Sequence, residues 1–252
     1  MKAILTIAGF DPSGGAGILA DAAVARRHGF HACGVVTAVT AQGDSDPASI
    51  RTIAPDDVEA QMVRLLRSMP IGAVKIGMVG SRQNAERIAS LLRDSIDVPT
   101  VYDPVLRASS GGELFEDFSP DAIENLLKIT DLLTPNMEEA GALIGRDVRD
   151  VPGMGAAARR IRAMGPQAVL VKGGHLPGSA VDVLFDGVEL VQFVADRLPL
   201  SPRGTGCALS TAIACLLAEE RILPDAVRLA KDELRDRIEQ SYELSPDIRY
   251  LP

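Results

Sequence analysis

The sequence has few cysteines, no long apolar run and no excess of positive charge, and each of these shortages excludes a class of protein. Its three cysteines, Cys33, Cys207 and Cys215, form no C-x-x-C pair and cannot build a disulfide framework, so a reducing, cytoplasmic compartment fits them best. The longest apolar run in the body of the chain, residues 208–218, falls well below the ~20 residues of a membrane span. The net charge of −8 argues against nucleic acid and anionic membranes as partners.

The composition is that of a globular protein with a sizeable core, since 46% of the 252 residues are apolar and 24% are charged. Short apolar runs alternate with segments of helical period, which predicts an α/β fold with a mainly parallel central sheet and helices on both faces. The predicted buried strands are residues 4–8, 33–39, 73–76, 100–102, 132–133 and 169–171. We expect one domain over residues 1–252.

Two further elements are predicted in the second half of the chain. Residues 180–185 and 189–194 flank a short turn, which indicates an antiparallel hairpin at the edge of the sheet. Apolar residues recur at spacings of three or four from Val227 to Tyr242, which predicts a final amphipathic helix. In open sheets of this type, ligands bind beyond the carboxyl ends of the strands, so the residues that follow each strand are the candidate site.

The glycine-rich loop after the first strand contains Gly15, Ala16 and Gly17, which fit the G-x-G-x-x-[GA] pattern of dinucleotide-binding proteins. The second strand does not end in the acidic residue that a nicotinamide site needs, so this function is disfavoured. Two interpretations remain open. The loop packs a helix tightly on the sheet, or its glycines let a ligand ring approach the backbone.

A second glycine cluster, residues 203–207, precedes an apolar helical stretch. Free N–H groups and the positive end of that helix would converge there, which favours binding of phosphate or of a phosphoryl group in transfer. No G-x-x-x-x-G-K-[ST] motif is present, which excludes a Walker loop. Cys207 falls in the first helical turn, where the helix dipole is expected to lower its thiol pKa and make it a base or donor. The alternative is a small residue that only packs.

Three other candidates each have a structural alternative. Asn136 and Glu139 match a helix-capping arrangement, and the same oxygens could hold Mg²⁺ beside Asp103. Lys172 ends a strand, where it could neutralise phosphate or simply be solvated. Gln42 could donate and accept hydrogen bonds on a heterocycle, or turn to water.

Taken together, these stretches resemble the hydroxymethylpyrimidine/phosphomethylpyrimidine kinases of thiamine biosynthesis, which belong to the ribokinase-like superfamily. The matching segments are residues 8–21, 39–42, 74–78, 103–105, 133–136, 171–175 and 204–207. They run in order over most of the chain. Cys207 is the discriminating residue, because sugar kinases of the superfamily, and many pyridoxal kinases, carry aspartate there.

The resemblance implies a ribokinase-like fold and transfer of the ATP γ-phosphoryl group to the hydroxymethyl group of an aminopyrimidine, then to its monophosphate. It also implies Mg²⁺ and a homodimer, with the pyrimidine and ATP as small-molecule partners. The residues that it places in the site are Gln42, Gly9, Ala16, Asp21, Met78 and Val105 at the pyrimidine; Gly204, Thr205, Gly206 and Cys207 in the anion hole, with Cys207 near the accepting hydroxyl; Asp103 and Glu139 at Mg²⁺; and Lys172 and Asn136 at the nucleotide.

The chain departs from the family pattern at three places. Arg203 stands where the family usually has histidine, Gly43 and Asp44 follow Gln42 in place of Asn-Thr, and residues 245–252 lack the usual Gly-Pro-Val-x-His-Phe motif. These changes leave open whether the alcohol, the monophosphate or both are substrates. A pyridoxal kinase is the alternative enzyme, and a catalytically silent pyrimidine-binding regulator is the alternative outside enzymes.

Overall fold

A nine-stranded sheet forms the centre of this computed structural model, which describes residues 1–41, 49–107, 112–174, 176, 178–245 and 248–252. The strands, in the order in which they lie side by side, are β3 (Ser49–Thr52), β2 (His31–Ala41), β1 (Ala3–Phe10), β4 (Ile71–Ile76), β5 (Thr100–Tyr102), β6 (Leu132–Leu133), β7 (Ala168–Gly173), β8 (Ala180–Phe185) and β9 (Leu190–Ala195). The strands from β2 to β7 are parallel, and β3, β8 and β9 pair antiparallel at the two edges. The predicted sheet and its edge hairpin are confirmed.

Helices cover both faces of the sheet, because side chains alternate between two core layers along each buried strand. Along β7, Val169 and Val171 enter one layer, whereas Ala168 and Leu170 enter the other. The first layer packs against α2 (Pro55–Ser68), α3 (Arg82–Ser95), α4 (Glu124–Lys128), α5 (Met137–Ile144) and α6 (Val151–Arg162). The second packs against α1 (Gly17–Arg27), α7 (Thr205–Ala218) and α8 (Leu223–Glu239). Among the described residues, no helix is both long enough and apolar enough to span a bilayer.

The predicted final helix is wrong at its carboxyl end. Helix α8 ends at Glu239, and Tyr242 begins a small antiparallel hairpin of β10 (Tyr242–Ser245) and β11 (Ile248–Tyr250). Tyr242 stacks on Tyr250 with ring centroids 6.2 Å apart, so the apolar residue that continued the helical period packs within the hairpin instead. The edge strand β3 was not predicted either.

The order of the strands determines where a ligand can enter. Strand β2 pairs on one side of β1, whereas β4 pairs on the other, so the chain reverses direction across the sheet at β1. The loops that follow β1 and β4 therefore diverge and leave a crevice at the carboxyl ends of the strands. The two glycine loops of the sequence lie beside this crevice.

Candidate active site

The two glycine loops lock together through backbone contacts. Gly204 precedes α7 with a φ of 77°, and a Cβ atom placed on it would lie 2.0 Å from the carbonyl oxygen of Gly15. Gly17 begins α1 with a φ of 61°, and a Cβ there would lie 2.2 Å from the carbonyl oxygen of Gly9. Both positions therefore require glycine. Of the two interpretations left open for the first loop, the structure shows the tight packing directly, and it leaves the approach of a ligand possible.

An apolar wall lies next to the first glycine loop. A Cβ on Gly9 would lie 2.9 Å from the sulfur of Met78, so these two predicted pocket residues are in contact. Met78 also belongs to a small apolar cluster with Ala38 and Leu114, against which the half-buried Val105 packs. Three of the predicted pyrimidine-pocket residues thus come together, although they belong to distant parts of the sequence.

A charged pair lies beside the second glycine loop. The Lys172 Nζ atom is 2.5 Å from the Oδ1 atom of Asp103, and Thr134 donates to the same oxygen at 3.1 Å. Gly206 faces both members of the pair, since its Cβ position lies 3.2 Å from Lys172 Nζ and 3.4 Å from Asp103 Oδ2. Burial lowers the pKa of Lys172, but Asp103 and Glu139 raise it by more, so the ammonium keeps its charge. Lys172 is not a solvated strand end.

Asn136 and Glu139 form the predicted capping box at the start of α5. The Glu139 N–H donates to Asn136 Oδ1 at 2.8 Å, and the Asn136 N–H donates to Glu139 Oε2 at 2.8 Å. The Glu139 side chain is nevertheless buried, and burial raises its pKa to about 7, with a further contribution from Asp103 and an opposing one from Lys172. A helix cap does not need such a destabilised carboxylate, and a nearby cation would relieve it.

Replacing Glu139 with glutamine is expected to stabilise the protein free of metal, and to do so more strongly as the pH rises. The pKa of Glu139 is about 7 in the folded protein against 4.5 for the ordinary side chain. The folded protein favours the protonated form of Glu139. The free energy of unfolding is therefore greatest below the pKa of this side chain in the unfolded chain, and it declines as the pH rises through the pKa in the folded protein. Urea unfolding should therefore show that the stability advantage of Glu139→Gln over the parent is larger at about pH 8.5 than at about pH 5.5, by on the order of 1–3 kcal/mol.

The exposed neighbour Glu138 provides a matched control, because Glu138→Gln removes an exposed carboxylate from the same helical turn and leaves the buried carboxylate of Glu139 in place. That variant should differ from the parent equally at both pH values. A stability gain for Glu139→Gln of the same size at both pH values would contradict the proposed burial cost.

The donor set at this end of the sheet fits magnesium brought by a nucleotide. No group of three or more histidine, cysteine or acidic side chains suited to a metal occurs among the described residues. Mg²⁺ in phosphoryl-transfer sites is typically held by one or two carboxylates together with phosphate oxygens and water. Asp103 and Glu139 supply two carboxylates close enough to raise the pKa of Glu139 through their repulsion. The pair therefore fits Mg²⁺ with ATP and does not fit a metal site made by protein ligands alone.

Cys207 occupies the first turn of α7, as predicted, but the expected direction of its pKa shift is wrong. Burial raises the pKa of the thiol above its usual value, and this effect outweighs the stabilisation that Lys75 gives to the thiolate. The helix dipole is a partial charge in this balance, whereas removal of water penalises a full charge. The thiol is therefore protonated at neutral pH. Cys33 and Cys215 are buried, as expected.

Asp21, one of the predicted pocket residues, lies beneath the two glycine loops. Its side chain is fully buried and is held by Lys75, Thr6 and Thr211. Sequence reasoning missed these three partners as well as Thr134. A signal existed for one of them, because Lys75 is the charged residue in the otherwise apolar strand β4.

The remaining candidates are placed as follows. Ala16 immediately precedes α1 and Thr205 begins α7, and both are half-buried. Arg203 is half-buried and its guanidinium lies 3.4 Å from the Oδ2 atom of the buried Asp11, so it links the two glycine loops. Gln42 lies outside the described residues.

Comparisons with known proteins match this geometry. The sequence profile of the family described as "Phosphomethylpyrimidine kinase" matches residues 11–249. A hydroxymethylpyrimidine/phosphomethylpyrimidine kinase of Rhizobium meliloti is 41% identical over 241 residues, which cover 93% of this chain and 89% of that protein. A phosphomethylpyrimidine kinase structure from Clostridium difficile 630 superposes with a TM-score of 0.80 at 34% identity, covering 94% of this chain and 99% of the other. The ADP complex of Bacillus subtilis pyridoxal kinase superposes with a TM-score of 0.90 at 28% identity, covering 100% and 96%.

Proposed function

The chain belongs to the phosphomethylpyrimidine kinase family, as its motifs predicted, and we propose that it transfers the γ-phosphoryl group of ATP to 4-amino-5-hydroxymethyl-2-methylpyrimidine, its monophosphate or both, in thiamine biosynthesis. The observation that carries the proposal is the close approach of Gly206 to the Lys172–Asp103 pair. This contact places the start of α7, where backbone N–H groups can bind an anion, next to charged side chains that suit phosphates. By family membership we also propose a cytoplasmic homodimer of one kinase domain over residues 1–252.

Positioning and charge neutralisation supply most of the catalysis in phosphoryl transfer. The hydroxymethyl oxygen of the acceptor attacks the γ-phosphorus, and the bond from that phosphorus to its bridging oxygen breaks, leaving ADP. Residues 204–207 present backbone N–H groups of the first turn of α7 to the charge that develops on the transferring group. Lys172 neutralises charge on the nucleotide side. Cys207, as thiolate, accepts the hydroxyl proton of the acceptor.

Asp103 and Glu139 are the residues that would hold Mg²⁺, with Asn136 beside the phosphates. Mg²⁺ bound with ATP would neutralise phosphate charge during transfer. The raised pKa of Glu139 supports this assignment, because a cation replaces the water that burial removed. For the pyrimidine we propose contacts from Gly9, Ala16, Met78 and Val105, and from Gln42 by the family pattern.

Two alternatives differ in what they require of these residues. The alternative of a pyridoxal kinase rests on the superposition of the whole chain on the Bacillus subtilis enzyme. It also rests on chemistry, because pyridoxine presents a hydroxymethyl group on a ring of similar size. A catalytically silent pyrimidine-binding regulator has no use for the buried cluster of Asp103, Glu139 and Lys172. The geometry therefore favours an enzyme.

Release of ADP with Mg·ATP tests the function, using the pyrimidine alcohol, its monophosphate and pyridoxal as acceptors. We expect turnover on at least one pyrimidine, and the ratio of the two kcat/KM values reports how the chain treats the additional phosphate. Turnover on pyridoxal alone would assign the chain to the alternative enzyme. Tight pyrimidine binding without ADP release would favour the regulator.

A further inference from the structure

Four buried polar side chains from four different elements meet beneath the two glycine loops, and we call them the buried quartet: Thr6, Asp21, Lys75 and Thr211. The Lys75 Nζ atom lies 2.8 Å and 3.0 Å from the two Asp21 carboxylate oxygens. Thr6 donates to Asp21 at 2.5 Å, and Thr211 donates at 2.9 Å. Lys75 and Asp21 have no exposed surface, so no contact of the quartet is to bulk solvent.

A buried ion pair of this kind is not explained by stability. Removing two charges from water costs several kcal/mol per ion, and well-packed apolar residues of similar volume commonly serve a fold as well. Strand β4 is otherwise apolar, so an apolar residue at position 75 would suit the core. The residues next to the Lys75–Asp21 pair are therefore the place to look for its role.

Three members of the quartet belong to elements that carry part of the two glycine loops. Thr6 lies three residues before Gly9 on β1, and Asp21 lies one helical turn after Gly17 on α1. Thr211 lies one turn after Cys207 on α7, so its hydrogen bond to Asp21 ties α7 to α1. The quartet thus joins the elements that present both glycine loops.

Lys75 itself reaches the end of its strand. Its Nζ atom lies 2.9 Å from the Cβ position of Gly77, so the ammonium reaches the chain that follows β4. The ammonium is thus immediately below the crevice.

The charges that act on the Cys207 thiol come from four elements. Lys75 on β4 favours the thiolate, whereas Asp21 on α1 and Asp103 after β5 oppose it. Lys172 on β7 also interacts with Cys207. Lys75 has the largest effect among these charged groups, and its side chain has no exposed surface.

We propose that the buried Lys75–Asp21 pair is a positioning device for Cys207: it ties the first turns of α7 to α1, and it places a positive charge where the thiolate needs one. The role in turnover rests on the proposed function, whereas the effect on the thiol is a property of the free protein. Lys75 and Asp21 act through Cys207 and do not touch the substrates.

Removal of both charges tests the proposal without leaving one of them unpaired. In Lys75→Met/Asp21→Asn, the rate of Cys207 alkylation by iodoacetamide is followed against pH by peptide mass spectrometry. Because the effect of Lys75 on the thiol exceeds the opposing effect of Asp21, we expect the pH midpoint to rise by about half a unit, which corresponds to about threefold slower alkylation below the midpoint. In the kinase assay the same variant should lose kcat and keep its KM for ATP. If it does not fold, the apolar pair Lys75→Leu/Asp21→Val gives the same readout.

Two controls separate charge from loosened packing. Thr211→Val removes a hydrogen bond from the quartet but keeps both charges, so the midpoint should stay close to that of the parent. Lys231→Met/Asp182→Asn removes another buried ion pair, neither member of which acts on Cys207, and should not shift the midpoint. An unchanged midpoint in a folded charge-neutral variant would overturn the proposal. Absence of kinase activity in the parent would overturn the proposed function alone, since alkylation needs no substrate.

Discussion

Replacing Gly204 with alanine is expected to lower kcat by at least about 100-fold, the loss that follows removal of an oxyanion-hole donor in other enzymes. The new Cβ would lie 2.0 Å from the Gly15 carbonyl oxygen, and this contact is with backbone that has no rotamer to relieve it. Either α7 must retreat from the first glycine loop or that loop must move, and both shifts displace the N–H groups of residues 205–207. Steady-state kinetics with Mg·ATP and the preferred acceptor measure the loss.

Gly14 provides the matched control for this substitution. Its φ of 75° is close to that of Gly204, but its Cβ position has no atom within 4 Å outside its chain neighbours. Gly14→Ala therefore introduces the same backbone strain, on the order of 1–3 kcal/mol of stability, without the collision. We expect Gly14→Ala to keep most of its turnover. Equal losses in both variants would show that strain, and not the contact between the two loops, limits activity.

Replacing Cys207 with alanine is expected to reduce kcat by about 100-fold or more, the usual contribution of a positioned proton acceptor, and to leave ATP affinity unchanged. The reason is the role proposed above for Cys207 at the accepting hydroxyl, with Lys172 and Asp103 proposed on the nucleotide side. Measured kcat and KM for ATP separate the two effects. Full activity of Cys207→Ala would show that Cys207 only packs, and that the backbone N–H groups of this loop supply the catalytic stabilisation.

The pH dependence of turnover gives a second test of Cys207. Burial raises the pKa of its thiol, so the thiolate is the minor form near neutral pH and accumulates as pH rises. The kcat of the parent should therefore increase with pH above neutrality, and this increase should be absent from the residual activity of Cys207→Ala. Cys207→Ser, which keeps the shape with a much less acidic hydroxyl, should resemble the alanine variant.

The fold could be predicted from the sequence to the extent that burial leaves a local pattern. Strands such as β1 and β7 are runs of apolar, often β-branched residues, and a strand covered on both faces has to look like that. Strand β3 escaped prediction because its four residues lie at an edge, where polar side chains are tolerated. Tyr242 was assigned to a helix because its spacing suits one, and only its stacking on Tyr250 favours the hairpin.

The local chemistry of the candidate site was likewise determined by the sequence. The need for glycine at position 204 comes from Gly15 in the other loop, whereas the capping box of Asn136 and Glu139 and the polar residues at strand ends depend on neighbours a few positions away. For the same reason, the motifs sufficed to identify the family. Local rules could not say whether Lys172 is solvated or paired, since its partner Asp103 is 69 residues distant in the chain.

Only the tertiary structure decided the electrostatics. The sequence placed Cys207 at a helix start and predicted a more acidic thiol, and it placed Asp21 near the pocket as a substrate contact. Packing buries Asp21 against Lys75 and leaves Cys207 half-buried, where desolvation raises the pKa of the thiol. Desolvation and charge–charge interactions depend on every atom within several ångströms, and those atoms come from strands and helices far apart in the chain.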